Sequence, residues 1–155
     1  MAVVLVHIIA LVSCKNRTGN SQDVGVVSST EALNSENIDQ SADILEKYWK
    51  LTSINGEALP ANSMGREAHI IFKTENSRII GNGGCNTLSG HYELKRGNGI
   101  VLSKIATTMM ACLDMETEGK FLRALETYDK YLIVADTLTL TSTSTNASAR
   151  FEAVY

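Results

Sequence analysis

Several functions are excluded by what this sequence lacks. It has one proline (Pro60), three cysteines and only 6% aromatic residues in a chain of 155. No apolar run reaches the roughly 20 residues that a bilayer-spanning helix needs. No cluster of Lys or Arg gives the electrostatic footprint of a nucleic-acid binder, so no nucleic-acid partner is expected. The two C-terminal cysteines and the histidines form no C-x-x-C or H-x-x-x-H pair of the kind that builds zinc sites. The glycine-rich stretch Gly81-Asn82-Gly83-Gly84 does not end in Gly-Lys-Ser/Thr and opens no helix, which excludes a phosphate loop. No cofactor or metal is therefore expected.

What remains is 44% hydrophobic and 20% charged, the balance of one globular domain. Two of the fourteen basic and five of the seventeen acidic side chains fall in residues 1–45, leaving twelve of each in residues 46–155. The net charge of −3 thus lies in the N-terminal stretch. A formally neutral body exerts no long-range steering on a charged partner.

Residues 1–14 read MAVVLVHIIALVSC. The run from Ala2 to Val12, polar only at His7, is too short to span a bilayer but suits a signal-peptide core. Its ending, Leu11-Val12-Ser13-Cys14, resembles a bacterial lipobox. That resemblance implies cleavage before Cys14, acylation of its sulfur and new amino group, and a membrane partner through that anchor. No Lys or Arg precedes Cys14, and an upstream start would supply the usual basic region. Residues 15–45 are rich in Ser, Asn, Asp, Gln and Thr, lack aromatics, and are expected to be a flexible tether. Some helical character is expected near Ile38–Lys47.

From residue 46 the pattern becomes short strands between turns. Strands are expected over Tyr48–Ile54, Ala68–Lys73, from Arg78, and over Leu88–Leu94, Ile100–Ile105, Tyr131–Val134, Thr137–Thr141 and Ala149–Val154. Asn55-Gly56 is a strong hairpin turn. Ile70 and Phe72 share one face; Leu138 and Leu140 point inward with Thr outward; Phe151 is an inner residue. One amphipathic helix is expected between Asp114, its N-cap, and Tyr128. Met115, Phe121, Leu122, Leu125 and Tyr128 form its apolar stripe, and Glu116, Glu118, Lys120, Arg123 and Glu126 its other face. The fold expected is α+β: a curled, mostly antiparallel sheet of about seven or eight strands packed on one helix.

Two segments stand out. Gly81-Asn82-Gly83-Gly84-Cys85-Asn86 continues to Gly90-His91-Tyr92, and Ala106-Thr107-Thr108-Met109-Met110-Ala111-Cys112 follows. With the Trp49-Lys50-Leu51 opening, the helix and the Leu138-Thr139-Leu140 strand, residues 46–155 resemble a META domain of the HslJ type. The structural motif residues are then Gly81, Gly84, Cys85, Asn86, Gly90, Tyr92, Thr108, Met110 and Cys112. Met109 stands where the family often has Arg, and Leu88 where an aromatic is usual. The resemblance implies a bacterial envelope lipoprotein, with heat-shock or stress-response associations in some members, and no catalytic residues.

Among the motif residues, the glycines suit a strand bend where backbone approaches closely, and Asn86 is expected to bond to a neighbouring backbone group. Setting aside Cys14 leaves Cys85 and Cys112, an even pair that outside the cytoplasm suggests a disulfide. Two buried free thiols are the alternative. A nucleophile–base pair of either cysteine with His69 or His91 lacks an indicated orienting group. Met109 and Met110 either pack beneath the helix or border a groove. The Ser/Thr-rich stretch from Thr137 to Ser148 reads as a solvated hairpin. The expected function is a non-enzymatic lipoprotein on the periplasmic face of the outer membrane, which binds an envelope protein or protects under stress. The alternatives are a hydrophobic-ligand or lipid binder, or pilot-like chaperone, and a Cys-dependent redox or hydrolytic enzyme.

Overall fold

The computed structural model describes residues 43–59, 66–113 and 115–155. Cys14, the signal-like run and nearly all of the expected tether lie outside these residues, as does Asp114, the expected helix cap.

Strands form where β-branched and aromatic residues alternate with polar ones. They are β1 (Tyr48–Ile54), β2 (Glu57–Ala58), β3 (His69–Lys73), β4 (Arg78–Asn82), β5 (Thr87–Lys95), β6 (Gly99–Thr107), β7 (Lys130–Val134), β8 (Thr137–Thr141) and β9 (Ser148–Val154). Eight of the nine match the expected runs. The ninth, β2, pairs with β1 across Asn55-Gly56, both at positive φ as the tight turn requires, and two residues are too few to show a period.

The expected curled sheet closes completely. β1 hydrogen-bonds to β3 on one edge and to β9 on the other, so β1-β3-β4-β5-β6-β7-β8-β9 returns to β1 as an antiparallel barrel with β2 appended. Closure removes the exposed edges that an open sheet would present. The seam between β6 and β7 is narrow: Gly99 pairs with Lys130, flanked by Ile100 N–H to Asp129 O (3.0 Å) and Tyr131 N–H to Asn98 O (2.9 Å). Helix α1 (Glu116–Leu125) fills the chain between these two strands.

Alternation places Trp49, Leu51, Ile70, Phe72, Ile79, Leu88, Ile100, Leu138, Leu140 and Phe151 inside, and all are buried. The faces expected for β3, β8 and β9 are those observed. Phe121 and Leu125 of α1 enter the same core at the barrel end where β4 passes into β5, with the Phe121 ring 5.9 Å from that of Phe151. Tyr128 follows the helix yet is also buried, as its place in the stripe requires.

The opposite end is closed by residues assigned above to the tether. Ile44 is fully buried, Leu45 bridges to Phe72, and Trp49 Nε1–H donates to Ile44 O at 2.9 Å. Residues 43–46 form a turn and this bridge instead of a helix. The domain's packing therefore starts before residue 46, because two apolar side chains plug the barrel mouth. The Glu46 carboxylate fixes the plug by accepting bonds from Lys73, Thr74 N–H (2.6 Å) and Thr74 Oγ1–H (2.8 Å). These contacts hold Glu46 well below the ordinary carboxylate range, at about 2, with the Lys73 bond the largest cause.

Candidate functional site

The two motif segments meet at the α1 end of the barrel. β4 ends in Asn82, and its side-chain Oδ1 accepts the Gly84 N–H at 2.7 Å, folding the chain into a tight loop. Gly84 sits at φ +120°, a conformation that side chains rarely adopt. Gly83 is required for space: a Cβ there would stand 2.8 Å from Glu118 Cγ. Gly81 and Gly90 lie in tight strand contacts, where a Cβ would meet the His69 carbonyl and the Ile105 side chain respectively.

Into this loop α1 inserts Glu118. Sequence reasoning placed Glu118 on the solvent face; the structure buries it to 2% exposure. One carboxylate oxygen accepts the N–H groups of Cys85 (2.8 Å) and Asn86 (2.7 Å), and the other accepts Asn86 Nδ2–H at 2.6 Å. Burial pushes its pKa up, but the bonds from the Asn86 side chain and from the Asn86 and Cys85 backbone outweigh that and hold it below the ordinary range. The missed signal was spacing: Glu118, Phe121, Leu122 and Leu125 stand at i, i+3, i+4 and i+7, so this acid lies on the apolar stripe itself.

Asn86 reaches across to the second motif instead of to a neighbouring backbone group, as expected above. Its Oδ1 accepts Met110 N–H (2.7 Å) and Thr108 Oγ1–H (2.8 Å). Thr108 N–H in turn donates to Thr87 O (3.1 Å), and Thr87 N–H to Thr108 Oγ1 (3.2 Å). Two residues after Met110, Cys112 is disulfide-bonded to Cys85, with 6.2 Å between Cα atoms. The expected pairing is thus present. The segment after β6 is strapped to the β4–β5 loop by one covalent bond and a hydrogen-bonded amide, all resting on one buried carboxylate.

The strap holds its apolar side chains outward. Met109 is 97% exposed and Met110 half exposed, so of the two readings above, packing beneath the helix does not hold. Tyr92, in contrast, is a core residue: its OH donates to Lys73 O at 3.0 Å and its ring meets Phe72 edge-on. His91 is exposed, and His69 stacks on Tyr48 with ring centroids 4.2 Å apart. Because both sulfurs are in the disulfide, neither is a thiolate nucleophile for a histidine to activate. Among the described residues no group of three His, Cys, Asp or Glu converges on a metal position. A groove of about 320 Å³ lies between the β1–β2 hairpin and the start of α1, with a mixed lining of Ile54, Glu57, Ala58, Leu59, Thr117 and Lys120. Met109 and Met110 are not part of it.

Comparison with known proteins gives the same architecture. No curated protein sequence matches the chain. Among solved structures, an NMR structure of a protein from Burkholderia xenovorans is similar over 84% of this chain and 99% of its own, at 21% identity and a TM-score of 0.63. A second NMR structure matches over 72% of this chain and 92% of its own, at 20% identity and a TM-score of 0.57. The crystal structure of a DUF4847 family protein from Bacteroides vulgatus matches over 72% of this chain and 95% of its own, at 14% identity and a TM-score of 0.53. These likenesses carry the fold. The META domain family model matches residues 42–155, a span that starts just before the buried Ile44 and takes in both strapped segments. This chain belongs to the META domain family.

Proposed function

We propose that the protein is a lipoprotein anchored through Cys14 to the periplasmic face of the outer membrane, and that its META domain is a non-enzymatic module that binds another envelope protein, with a protective role under stress. The filled interior carries the choice of surface recognition over ligand storage. Trp49, Phe72, Phe121 and Phe151 are fully buried in the barrel, one mouth is closed by α1 and the other by Ile44. Among the described residues, these side chains occupy the interior that a lipid or other small hydrophobic ligand would need. A lipid-binding or pilot-like role would need a pocket that Met109 and Met110 line, and both face solvent.

A pull-down from native envelope tests the reading, with the acylated protein compared against a Cys14→Ala form. A partner retained by the acylated domain and weakened in the variant is the expected result. Mass spectrometry showing the mature chain without acyl groups, or a small hydrophobic molecule co-purifying at one per chain, would overturn it.

A further inference from the structure

The Cys85–Cys112 bond joins two cysteines in unlike surroundings. Cys85 is buried at 4% exposure, and its Sγ lies 3.7 Å from Met110 O in the segment after β6. Cys112 is exposed. A thiolate exchanges with a disulfide only by reaching one of its sulfurs, and the other sulfur is then expelled.

Two effects compete over which sulfur is reached. Attack at Cys112 expels Cys85 as a thiolate, which burial and charge both disfavour. The Glu118 carboxylate accepts the Cys85 N–H at 2.8 Å. Sγ is three covalent bonds from that nitrogen, so the anion stands within about 7 Å of the sulfur. Arg66, whose N–H donates to Gly84 O at 3.0 Å, is exposed, which leaves Glu118 as the charged side chain hydrogen-bonded to this loop among the described residues. An expelled thiol that is about ten- to a hundredfold weaker as an acid than an ordinary one slows exchange by about three- to tenfold. Attack at Cys85 requires the covering segment to lift. Lifting it breaks the bonds from Met110 N–H and Thr108 Oγ1–H to Asn86 Oδ1, at about fivefold each, or about 25-fold together. Access therefore outweighs the leaving group.

We propose that Cys112 is the thiol-exchange site of the domain, the sulfur that carries the mixed disulfide when the bond is made or broken, and that Cys85 is the resolving sulfur, braked by Glu118. The partner is a disulfide donor of the C-x-x-C kind. In oxidation the Cys112 thiolate attacks one sulfur of the donor's disulfide. A Cys112–donor bond forms, the donor's own S–S bond breaks, and its second sulfur leaves as a thiolate. The Cys85 thiolate then attacks Cys112 Sγ. The Cys85–Cys112 bond forms, the mixed bond breaks, and the donor departs with two electrons. The two protons released by the cysteines pass through solvent to the donor, which becomes a dithiol. Reduction by a dithiol runs the same steps backward. Once expelled, Cys85 regains a proton, and its S–H faces Met110 O, so the mixed disulfide at Cys112 recloses slowly.

The test treats the full oxidised chain with reduced glutathione, quenches in acid and maps the products by mass spectrometry. Glutathione on Cys112, with Cys85 a free thiol, should exceed the reverse product by about three- to eightfold, the ratio of the two effects above. Equal labelling, or an excess on Cys85, overturns the exchange site. The purified mixed disulfide, freed of glutathione, is then followed as it recloses between about pH 7 and 10.5, a window that spans the ordinary thiol value. Emission from the fully buried Trp49 reports whether this species is folded. Reclosure needs the Cys85 thiolate, so its rate should rise through a midpoint above the ordinary thiol value of about 8.5 in buffer and return to about 8.5 in urea. Matching midpoints in buffer and urea, or a midpoint in buffer below the ordinary value, overturn the Glu118 brake.

Discussion

Glu118 and Asn86 can be tested as a unit, because their groups are arranged so that no single change leaves the network satisfied. In Glu118→Gln, the amide oxygen can face the Cys85 and Asn86 N–H groups, but the new NH₂ then faces Asn86 Nδ2–H, donor against donor. Turning the new amide over leaves two buried backbone N–H groups without an acceptor. Flipping Asn86 instead would point its NH₂ at Met110 N–H and Thr108 Oγ1–H. With a buried unsatisfied donor worth 1–3 kcal/mol and charged acceptors stronger than neutral ones, Glu118→Gln should lose about 3 kcal/mol. Asn86→Asp should lose a similar amount, about 3 kcal/mol, since it sets two carboxylates at the 2.6 Å contact now made by Nδ2 and Glu118. Combining Glu118→Gln with Asn86→Asp restores the pattern. The introduced glutamine accepts both backbone N–H groups and donates to the introduced aspartate, whose other oxygen still accepts Met110 N–H and Thr108 Oγ1–H. Urea unfolding of the four proteins, with the disulfide intact, should give a coupling of about 2–4 kcal/mol in favour of the double variant. Single losses that merely add would show that the carboxylate and the amide act independently, and the strap as described would be wrong.

Three further outcomes follow from the structure. Reducing the Cys85–Cys112 bond, which joins residues 27 apart, should lower stability by about 3–4 kcal/mol in urea melts; a change under about 1 kcal/mol would show that the hydrogen bonds alone hold the segment. Tyr128 OH is buried without a hydrogen-bond partner among the described residues, and burial pushes its pKa up to about 12. Tyr128→Phe should therefore leave stability unchanged or raise it by up to about 1 kcal/mol, and a clear drop in melting temperature would reveal a partner for that hydroxyl. Glu46 has its pKa lowered in the folded state from 4.5 to about 2, so its contribution is present above pH 4.5 and is lost as pH falls towards 2. Glu46→Gln should flatten the melting temperature over that window, and an unchanged acid limb would remove Glu46 from the plug.

The strands were legible because each is a local pattern. Leu138-Thr139-Leu140 and Ile70-Ile71-Phe72 show their inner faces by alternation alone, and Asn55-Gly56 marks its hairpin by the φ values it permits. Closure of the barrel was not legible, since it depends on β1 pairing with β9 about a hundred residues away, and no local pattern encodes that register. The mouth plug was hidden for a related reason: Ile44 and Leu45 follow a polar stretch, and two apolar residues acquire meaning only beside Phe72 and Trp49. Glu118 is the instructive case. Its position on the Phe121 and Leu125 stripe was readable, but a carboxylate on an apolar stripe looks like a flaw until its acceptors and donors are counted. A buried anion is tolerable only where donors are already fixed in place. The glycine-rich loop supplies them by turning the Cys85 and Asn86 N–H groups inward, and Gly83 leaves room for the carboxylate to reach them. The motif glycines and the helix acid therefore explain one another, and neither is readable alone. Asn86 carries this constraint outward to Met110, so the position of that half-exposed residue follows from a charge buried beneath it.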